Sequence, residues 1–146
     1  MSADRFLDSN VLIYQLDARD LDKHRVADRL VGEAVANGSA CISFQVVQEC
    51  LNTVIRKAKV RLDGRQATAW LDAVLLPLLK VTPSSDLYRN ALQGHERWQL
   101  SFYDALIVAA AQEAGCSTLL TEDLQHGQQF GHVQVINPFR ADFSLA

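Results

Sequence analysis

The sequence is poor in cysteine, has no excess of positive charge and contains no long apolar run, and each shortage excludes a class of protein. Its three cysteines are odd in number and include no CxxC pair, which argues against a disulfide framework or a structural zinc site. The first residues, MSADRFLDSN, lack the charged-then-apolar pattern of a signal peptide, and no apolar run could cross a bilayer. We therefore expect a cytoplasmic protein without a membrane span.

Positive charge is scarce, because the 14 lysines and arginines are outnumbered by 17 acidic residues, and the net charge is −3. Such a chain has no global positive field that would attract nucleic acid. This argument weakens if the acids are gathered at a metal site, since bound cations cancel part of their charge. The 146 residues are 49% hydrophobic and 21% charged, which predicts one globular domain over residues 1–146.

Short apolar runs alternate with longer segments of helical periodicity along the whole chain. The predicted helices include Arg25–Ala36, Phe44–Lys57, a segment that follows a turn at Asp63–Gly64 and runs through Trp70 to Leu75, one that is capped by Ser84–Ser85 and runs to about Gln93, and Ser101–Ala114. The predicted strands are Phe6–Leu7, Ala40–Ser43, Leu78–Val81, Thr118–Thr121 and Val133–Ile136. This alternation predicts a three-layer α/β/α fold, with a central, mostly parallel five-stranded sheet between two helical layers. Ligands of such sheets bind at the carboxyl ends of the strands.

Two acidic residues follow predicted strands and so belong at that edge of the sheet. Asp8 comes directly after Phe6–Leu7, and its alternative role is to cap the helix that follows. Asp123 follows the fourth strand, where a polar turn explains it equally well. Glu122 is as well placed by composition, so the pattern alone does not decide between them.

Two further acids lie on predicted helices that could flank the same crevice. Glu49 lies nearly opposite the apolar face of its helix, where a solvated surface is the competing explanation. Asp104 is in the first turn of a helix that is apolar on nearly every side, so its carboxylate is costly to bury unless it is paired or metal-bound. A capping box with Ser101 is the alternative. Oxygen ligands of this kind suit Mg²⁺ or Mn²⁺, which nucleases use to polarise phosphates and activate water.

At these positions the sequence resembles the PIN-domain ribonucleases, and in size it is similar to their VapC-type toxins from bacterial toxin–antitoxin pairs. The ordered set of four motifs is specific, and the resemblance covers almost the whole chain. The motifs run from Phe6 to Ile13, Val47 to Glu49, Ser101 to Ile107 and Leu120 to Asp123.

The resemblance implies a PIN-like fold and a Mg²⁺ or Mn²⁺ centre that hydrolyses RNA with metal-activated water, leaving a 5′-phosphate and a 3′-hydroxyl. Asp8 and Asp104 would be the principal metal ligands. Glu49 would orient metal-bound water or bind metal directly, and Asp123 would complete the cluster or a second metal site. The residues that would support these acids by hydrogen bonding are Asn10 and Thr121.

One dense basic stretch is predicted to lie near the RNA path, although a solvated surface explains it equally well. It comprises Arg56, Lys57, Lys59, Arg61 and Arg65. The resemblance also implies a homodimer. As a separate expectation, a toxin role would require an antitoxin protein that covers the acidic crevice.

Two other functions compete with a ribonuclease. A haloacid-dehalogenase-like phosphatase also begins with a strand and an Asp, but it needs a second Asp two positions later, where this chain has Asn10. A PIN-like scaffold could bind RNA or a partner protein without cutting. Metal-dependent cleavage separates the enzyme from the scaffold.

Overall fold

The computed structural model describes residues 3–56 and 60–144. Its strands are β1 (Arg5–Leu7), β2 (Ala40–Ser43), β3 (Leu79–Val81), β4 (Thr118–Leu120), β5 (Gln129–Phe130) and β6 (Val133–Ile136). Its helices are α1 (Ser9–Leu16), α2 (Leu21–Asn37), α3 (Phe44–Arg56), α4 (Gly64–Trp70), α5 (Leu76–Leu78), α6 (Ser85–Trp98) and α7 (Phe102–Glu113). A π-helical turn, Leu71–Leu75, joins α4 to α5.

The strands form one sheet in the order β3-β2-β1-β4-β6-β5, and every neighbouring pair is parallel except β5 and β6. Helices α1 to α5 join β1, β2 and β3, whereas α7 packs against β2, β4 and β6 and is covered by α6. The predicted three-layer, mostly parallel architecture is therefore confirmed. The prediction of five strands is wrong, because Gln129–Phe130 adds a sixth strand that is too short to show a hydrophobic period. A turn at Gly131, whose φ is 63°, folds it back antiparallel to β6.

The core lies between the sheet and its helices. Phe6, Leu119 and Val135 are fully buried in β1, β4 and β6, respectively. The α7 segment from Ala105 to Ala111 is buried at every position, as its continuous apolar sequence predicts. Within the described residues, no helix is long and apolar enough to cross a membrane.

Two helices are longer than predicted, for local reasons. Helix α2 begins at Leu21 because the Asp20 side chain accepts a hydrogen bond from the Lys23 backbone N–H at 3.2 Å. Helix α6 continues past Gly94, where a Cβ atom would lie 3.2 Å from the Trp98 ring. That glycine makes room for packing inside the helix and does not end it.

Candidate active site

The acidic crevice lies at the carboxyl ends of β1 and β4, where the strand order reverses direction. The chain runs outward from β1 to β2 and β3, and then crosses to β4 on the other side of β1. Such a switch point opens a crevice between the two loops that leave the sheet. Leu7 pairs with Leu120, and the Asp8 backbone N–H donates to the Leu120 carbonyl at 3.1 Å. Asp8 and Thr121 are therefore held side by side.

Asp8 is a buried carboxylate with an exposed fraction of only 8%. It accepts hydrogen bonds from the Thr121 hydroxyl and from the Ser9 backbone N–H, both at 2.8 Å, and it caps α1. The pKa of Asp8 is raised from 3.8 to about 6, mainly by burial and to a smaller extent by the charges of Asp123 and Asp104, while these two hydrogen bonds oppose the rise. Asp8 therefore caps α1, and this capping role is compatible with the predicted site role.

Asn10 joins the loops that follow β1 and β4. Its side-chain amide donates to the Thr121 hydroxyl at 3.0 Å and to Asp123 Oδ2 at 3.1 Å, with a longer contact of 3.5 Å to Asp8 Oδ2. Its carbonyl oxygen accepts from the Glu122 backbone N–H at 3.4 Å. Asn10 and Thr121 thus lie within hydrogen-bonding distance of two of the acids that they are predicted to support.

The neighbouring acids Glu122 and Asp123 point to different surroundings. The Glu122 carboxylate accepts from the Tyr14 hydroxyl and the Lys23 ammonium group, each at 2.8 Å. Lys23 also lies over the Tyr14 ring, 4.9 Å from its centroid. Asp123 is exposed, and its charge acts on Asp8. Of the two acids, Glu122 is therefore neutralised by a cation, whereas Asp123 borders the crevice.

Glu49 reaches the crevice from α3. The Cys50 thiol lies 4.0 Å from the Ser9 carbonyl, so α3 packs against the start of α1 at this level. Glu49 is half-buried, and burial followed by the charge of Asp8 raises its pKa. Its Oε1 atom is buried and finds no hydrogen-bond partner among the described residues. A fully solvated helix face, the alternative explanation for this residue, does not describe such a side chain.

Asp104 lies half-buried in the first turn of α7. The Ser101 hydroxyl caps this helix by accepting from the Asp104 backbone N–H at 3.2 Å. The reciprocal bond of a full capping box is absent from the part of the chain that the structure describes. The charge of Asp104 raises the pKa of both Asp8 and Glu49, so these three carboxyl groups lie close enough to interact.

Sequence reasoning missed several polar residues around these acids. Ser43 and Gln45 are buried, and their Oγ and Oε1 atoms have no partner within residues 3–56 and 60–144. Ser43 ends β2, so the rule that ligands bind at strand ends could have identified it. Tyr14 and Lys23 carry no comparable signal, because Lys23 meets Glu122 across 99 residues of sequence.

The donor set fits a hard divalent cation. It consists of carboxylate oxygens around the Asp8 carboxyl group, whose ionisation is disfavoured by burial. One of these oxygens, Glu49 Oε1, is buried and has no partner within the described part of the chain. As placed, no three acidic, histidine or cysteine side chains of the described residues are arranged to hold an ion by themselves. Mg²⁺ is usually held by one or two carboxylates while it keeps several waters, so the arrangement suits that ion.

Part of the basic stretch lies outside the described residues. Arg56, Arg61 and Arg65 are exposed, whereas Lys57 and Lys59 fall outside the described residues. The backbone N–H of Leu62 donates to the Val54 carbonyl at 2.8 Å, which holds Leu62 against the end of α3. The exposed arginines therefore cluster around the carboxyl end of α3.

Solved structures share this fold at low sequence identity. A chain of a toxin–antitoxin complex from Klebsiella pneumoniae is 19% identical, with a TM-score of 0.60 over 90% of this chain and 95% of that one. VapC20 from Mycobacterium tuberculosis, a sarcin–ricin-loop-cleaving toxin, is 23% identical, with a TM-score of 0.57 over 82% and 91%. VapBC2 from Rickettsia felis, bound to a promoter DNA fragment, is 17% identical, with a TM-score of 0.62 over 90% and 96%. These identities show the fold alone.

A comparison with curated protein sequences finds no match. The model of the PIN domain family, however, matches residues 5–129, most of the chain. The match begins in β1, ends in β5 and includes all four acids of the crevice. The resemblance seen in the sequence motifs is thereby confirmed, and the chain belongs to the PIN-domain family.

Proposed function

We propose that the chain is a ribonuclease, formed by a single PIN domain, that hydrolyses RNA phosphodiester bonds with Mg²⁺ or Mn²⁺. The observation that supports this most strongly is the buried carboxylate of Asp8, whose pKa is raised to about 6 by burial and by the charges of Asp123 and Asp104. Like charges brought together in a partly buried crevice repel each other, and a bound cation relieves that repulsion. Divalent ions are also what PIN nucleases generally use.

Each acid has a role that its surroundings suit. Asp8 and Asp104 would hold the ion, with Asp123 completing the cluster. When bound, such an ion polarises the phosphate and lowers the pKa of water. Glu49 Oε1, buried and unpartnered among the described residues, would accept a proton from the attacking water, and its raised pKa suits a base.

Asn10 and Thr121 would keep the acids in place. The Thr121 hydroxyl donates to Asp8 Oδ2 and accepts from the Asp123 backbone N–H at 3.0 Å. Asn10 bonds both loops at once, which fixes the spacing between the carboxylates. An amide so engaged is not an acid or base, which disfavours the phosphatase alternative. That mechanism would require a titratable carboxylate at this position.

The exposed arginines would bind the RNA strand where it leaves the crevice. Arg56 lies seven residues after Glu49, so it occupies the same face of α3 about 10.5 Å further along the axis. We expect glutamine substitutions at Arg56, Arg61 and Arg65 to weaken RNA binding and to lower its salt dependence. A control substitution at Arg29, exposed on α2, should change neither. An unchanged affinity and salt slope in the triple variant would contradict this path.

Cleavage of single-stranded RNA tests the enzyme against the non-catalytic scaffold. The purified protein should cut RNA with Mg²⁺ or Mn²⁺ and stop with EDTA, and Asp8→Asn or Asp104→Asn should abolish cutting. Asp28→Asn, on the exposed side of α2, is the matched control and should stay active. If the wild type binds varied RNAs and cuts none of them in either metal, the scaffold is the correct function.

A toxin role is a further part of the proposal, together with a homodimer and an antitoxin that covers the crevice. The structural relatives include chains of toxin–antitoxin complexes, which supports it. Strong expression of the active protein should arrest growth, and co-expression of the protein encoded by the adjacent reading frame should restore it. Normal growth under strong expression would argue against toxicity while leaving the nuclease proposal standing.

A further inference from the structure

Two aromatic side chains at the start of α7 are exposed, although the middle of that helix is buried. Tyr103 is 66% exposed and Phe102 is 37% exposed, whereas the residues from Ala105 to Ala111 are buried without exception. Keeping aromatic rings in water forgoes the free energy that their burial would contribute. Their position, directly before Asp104 at the mouth of the crevice, points to a function in binding.

We propose that Tyr103 is a stacking platform for an unpaired RNA base next to the nucleotide at the acidic crevice. This inference rests on the proposed ribonuclease function and names one contact that would hold the substrate. Base–aromatic stacking tolerates different bases, because every base has a π-face. The platform therefore supplies affinity for single-stranded RNA with little selection of sequence.

The backbone of Tyr103 is fixed close to the proposed metal ligands. Tyr103 and Asp104 are adjacent, so their Cα atoms are about 3.8 Å apart. The side-chain amide of buried Gln45 donates to the Tyr103 carbonyl at 3.2 Å, which ties the start of α7 to α3. The Ser101 hydroxyl caps the same turn. A ring on this anchored backbone is placed before RNA arrives, so little ordering entropy is lost on binding.

Phe102 restrains the ring of Tyr103 without covering both of its faces. The two ring centroids are 5.4 Å apart and the planes are inclined by 72°, an edge-to-face arrangement. Such a contact occupies at most one face of the Tyr103 ring. The high exposure of Tyr103 agrees with a face that is open to a base.

The size of the patch favours a nucleobase over a protein partner. Stable protein interfaces bury on the order of 800 Å² from each partner, which these two rings cannot supply by themselves. A single base stacked on Tyr103 needs only one open ring face. Because Tyr103 directly precedes Asp104 in the first turn of α7, its ring is also close enough for a strand held at the crevice to reach it.

RNA binding in an Asp8→Asn background tests the platform, because cleavage is then stopped. Fluorescence anisotropy with labelled single-stranded adenosine and uridine oligonucleotides, in Mg²⁺, measures the affinity. Tyr103→Ala should weaken binding of both by roughly 5- to 150-fold, the equivalent of one lost stack. Tyr103→Phe should bind like the parent. Tyr88→Ala, which removes a tyrosine that is 41% exposed on α6, is the matched control and should also bind normally.

Two further measurements, the salt dependence of RNA binding and the oligomeric state, distinguish base stacking from other causes of weaker binding. Because tyrosine contributes no phosphate contact, Tyr103→Ala should leave the slope of affinity against salt concentration unchanged. Equal binding by parent and Tyr103→Ala would refute the platform alone, whereas a wild-type protein that neither binds nor cuts RNA would refute the ribonuclease proposal itself. A change of molecular mass in light scattering on Tyr103→Ala would assign the ring to a subunit interface and overturn the inference.

Discussion

Replacing Asp8 with asparagine should stabilise the metal-free protein at neutral pH, even though it removes a proposed metal ligand. The wild-type carboxylate is buried against other acids, and its pKa in the folded state is about 6 instead of 3.8. The folded protein therefore binds this proton more tightly than the unfolded chain does. As the pH rises from about 3.8 to about 6, the free energy of unfolding falls, and above that range the full cost is present.

The size of this cost follows from the displacement of the pKa. One pKa unit corresponds to about 1.4 kcal/mol, so the ionised Asp8 destabilises the fold by about 3 kcal/mol above pH 6. Asparagine has nearly the same shape and no charge to desolvate. It also loses part of the hydrogen bonding from Thr121 and Ser9, which favours the ionised form. The net gain should therefore be about 1–3 kcal/mol at pH 7.5 and should shrink towards pH 5.

Urea unfolding in EDTA at pH 5 and pH 7.5 measures this gain, with Asp28→Asn as the control for an exposed acid. Adding Mg²⁺ should then stabilise the wild type and leave Asp8→Asn unaffected, since only a state that binds the ion gains from it. A variant that is less stable than the wild type at pH 7.5, or a difference that is equal at both pH values, would refute the reasoning.

Two further substitutions test the hydrogen bonds around the acids. Thr121→Val removes a donor to the ionised Asp8, so the pKa of Asp8 should rise and calorimetric Mg²⁺ binding should shift to a pH about one unit higher. An unshifted profile would show that this hydroxyl does not hold the charged form. Lys23→Met breaks a partly exposed ion pair with Glu122 and should cost about 1 kcal/mol in urea unfolding. Adding Glu122→Gln to it should cost little more, and strictly additive losses would exclude the coupling.

The three-layer architecture, and the position of the acids at one edge of the sheet, could be predicted from the sequence because both depend on periodicity and topology. Alternating strands and helices imply a parallel sheet, and the carboxyl ends of its strands then share one edge. Asp8 and Thr121 meet there across 113 residues because Leu7 and Leu120 pair in register. The buried middle of α7, from Ala105 to Ala111, was equally predictable, since a continuous apolar run on a helix leaves no face for solvent.

Features that depend on individual side chains or on very short segments could not be predicted from the sequence. The bond from Gln45 to the Tyr103 carbonyl depends on how α3 and α7 approach each other, and no period in either segment encodes it. Strand β5 has two residues, too few for an alternation of polar and apolar side chains to appear. The length of α6 depends on Gly94, which usually signals a helix end and here accommodates the Trp98 ring.

The two acids after β4 show why charge alone could not identify the site. Glu122 and Asp123 are adjacent and chemically similar, but the turn sends one carboxylate to Lys23 and the other to Asn10. An unpaired Glu122 would add negative charge beside Asp8 and compete with the other acids for any cation. The lysine binds this extra carboxylate from outside the crevice, so the negative field there is left to the four acids that face it. If the four acids form the proposed metal site, Lys23 helps to exclude Glu122 from it, although Lys23 carries the opposite charge and belongs to none of the four motifs.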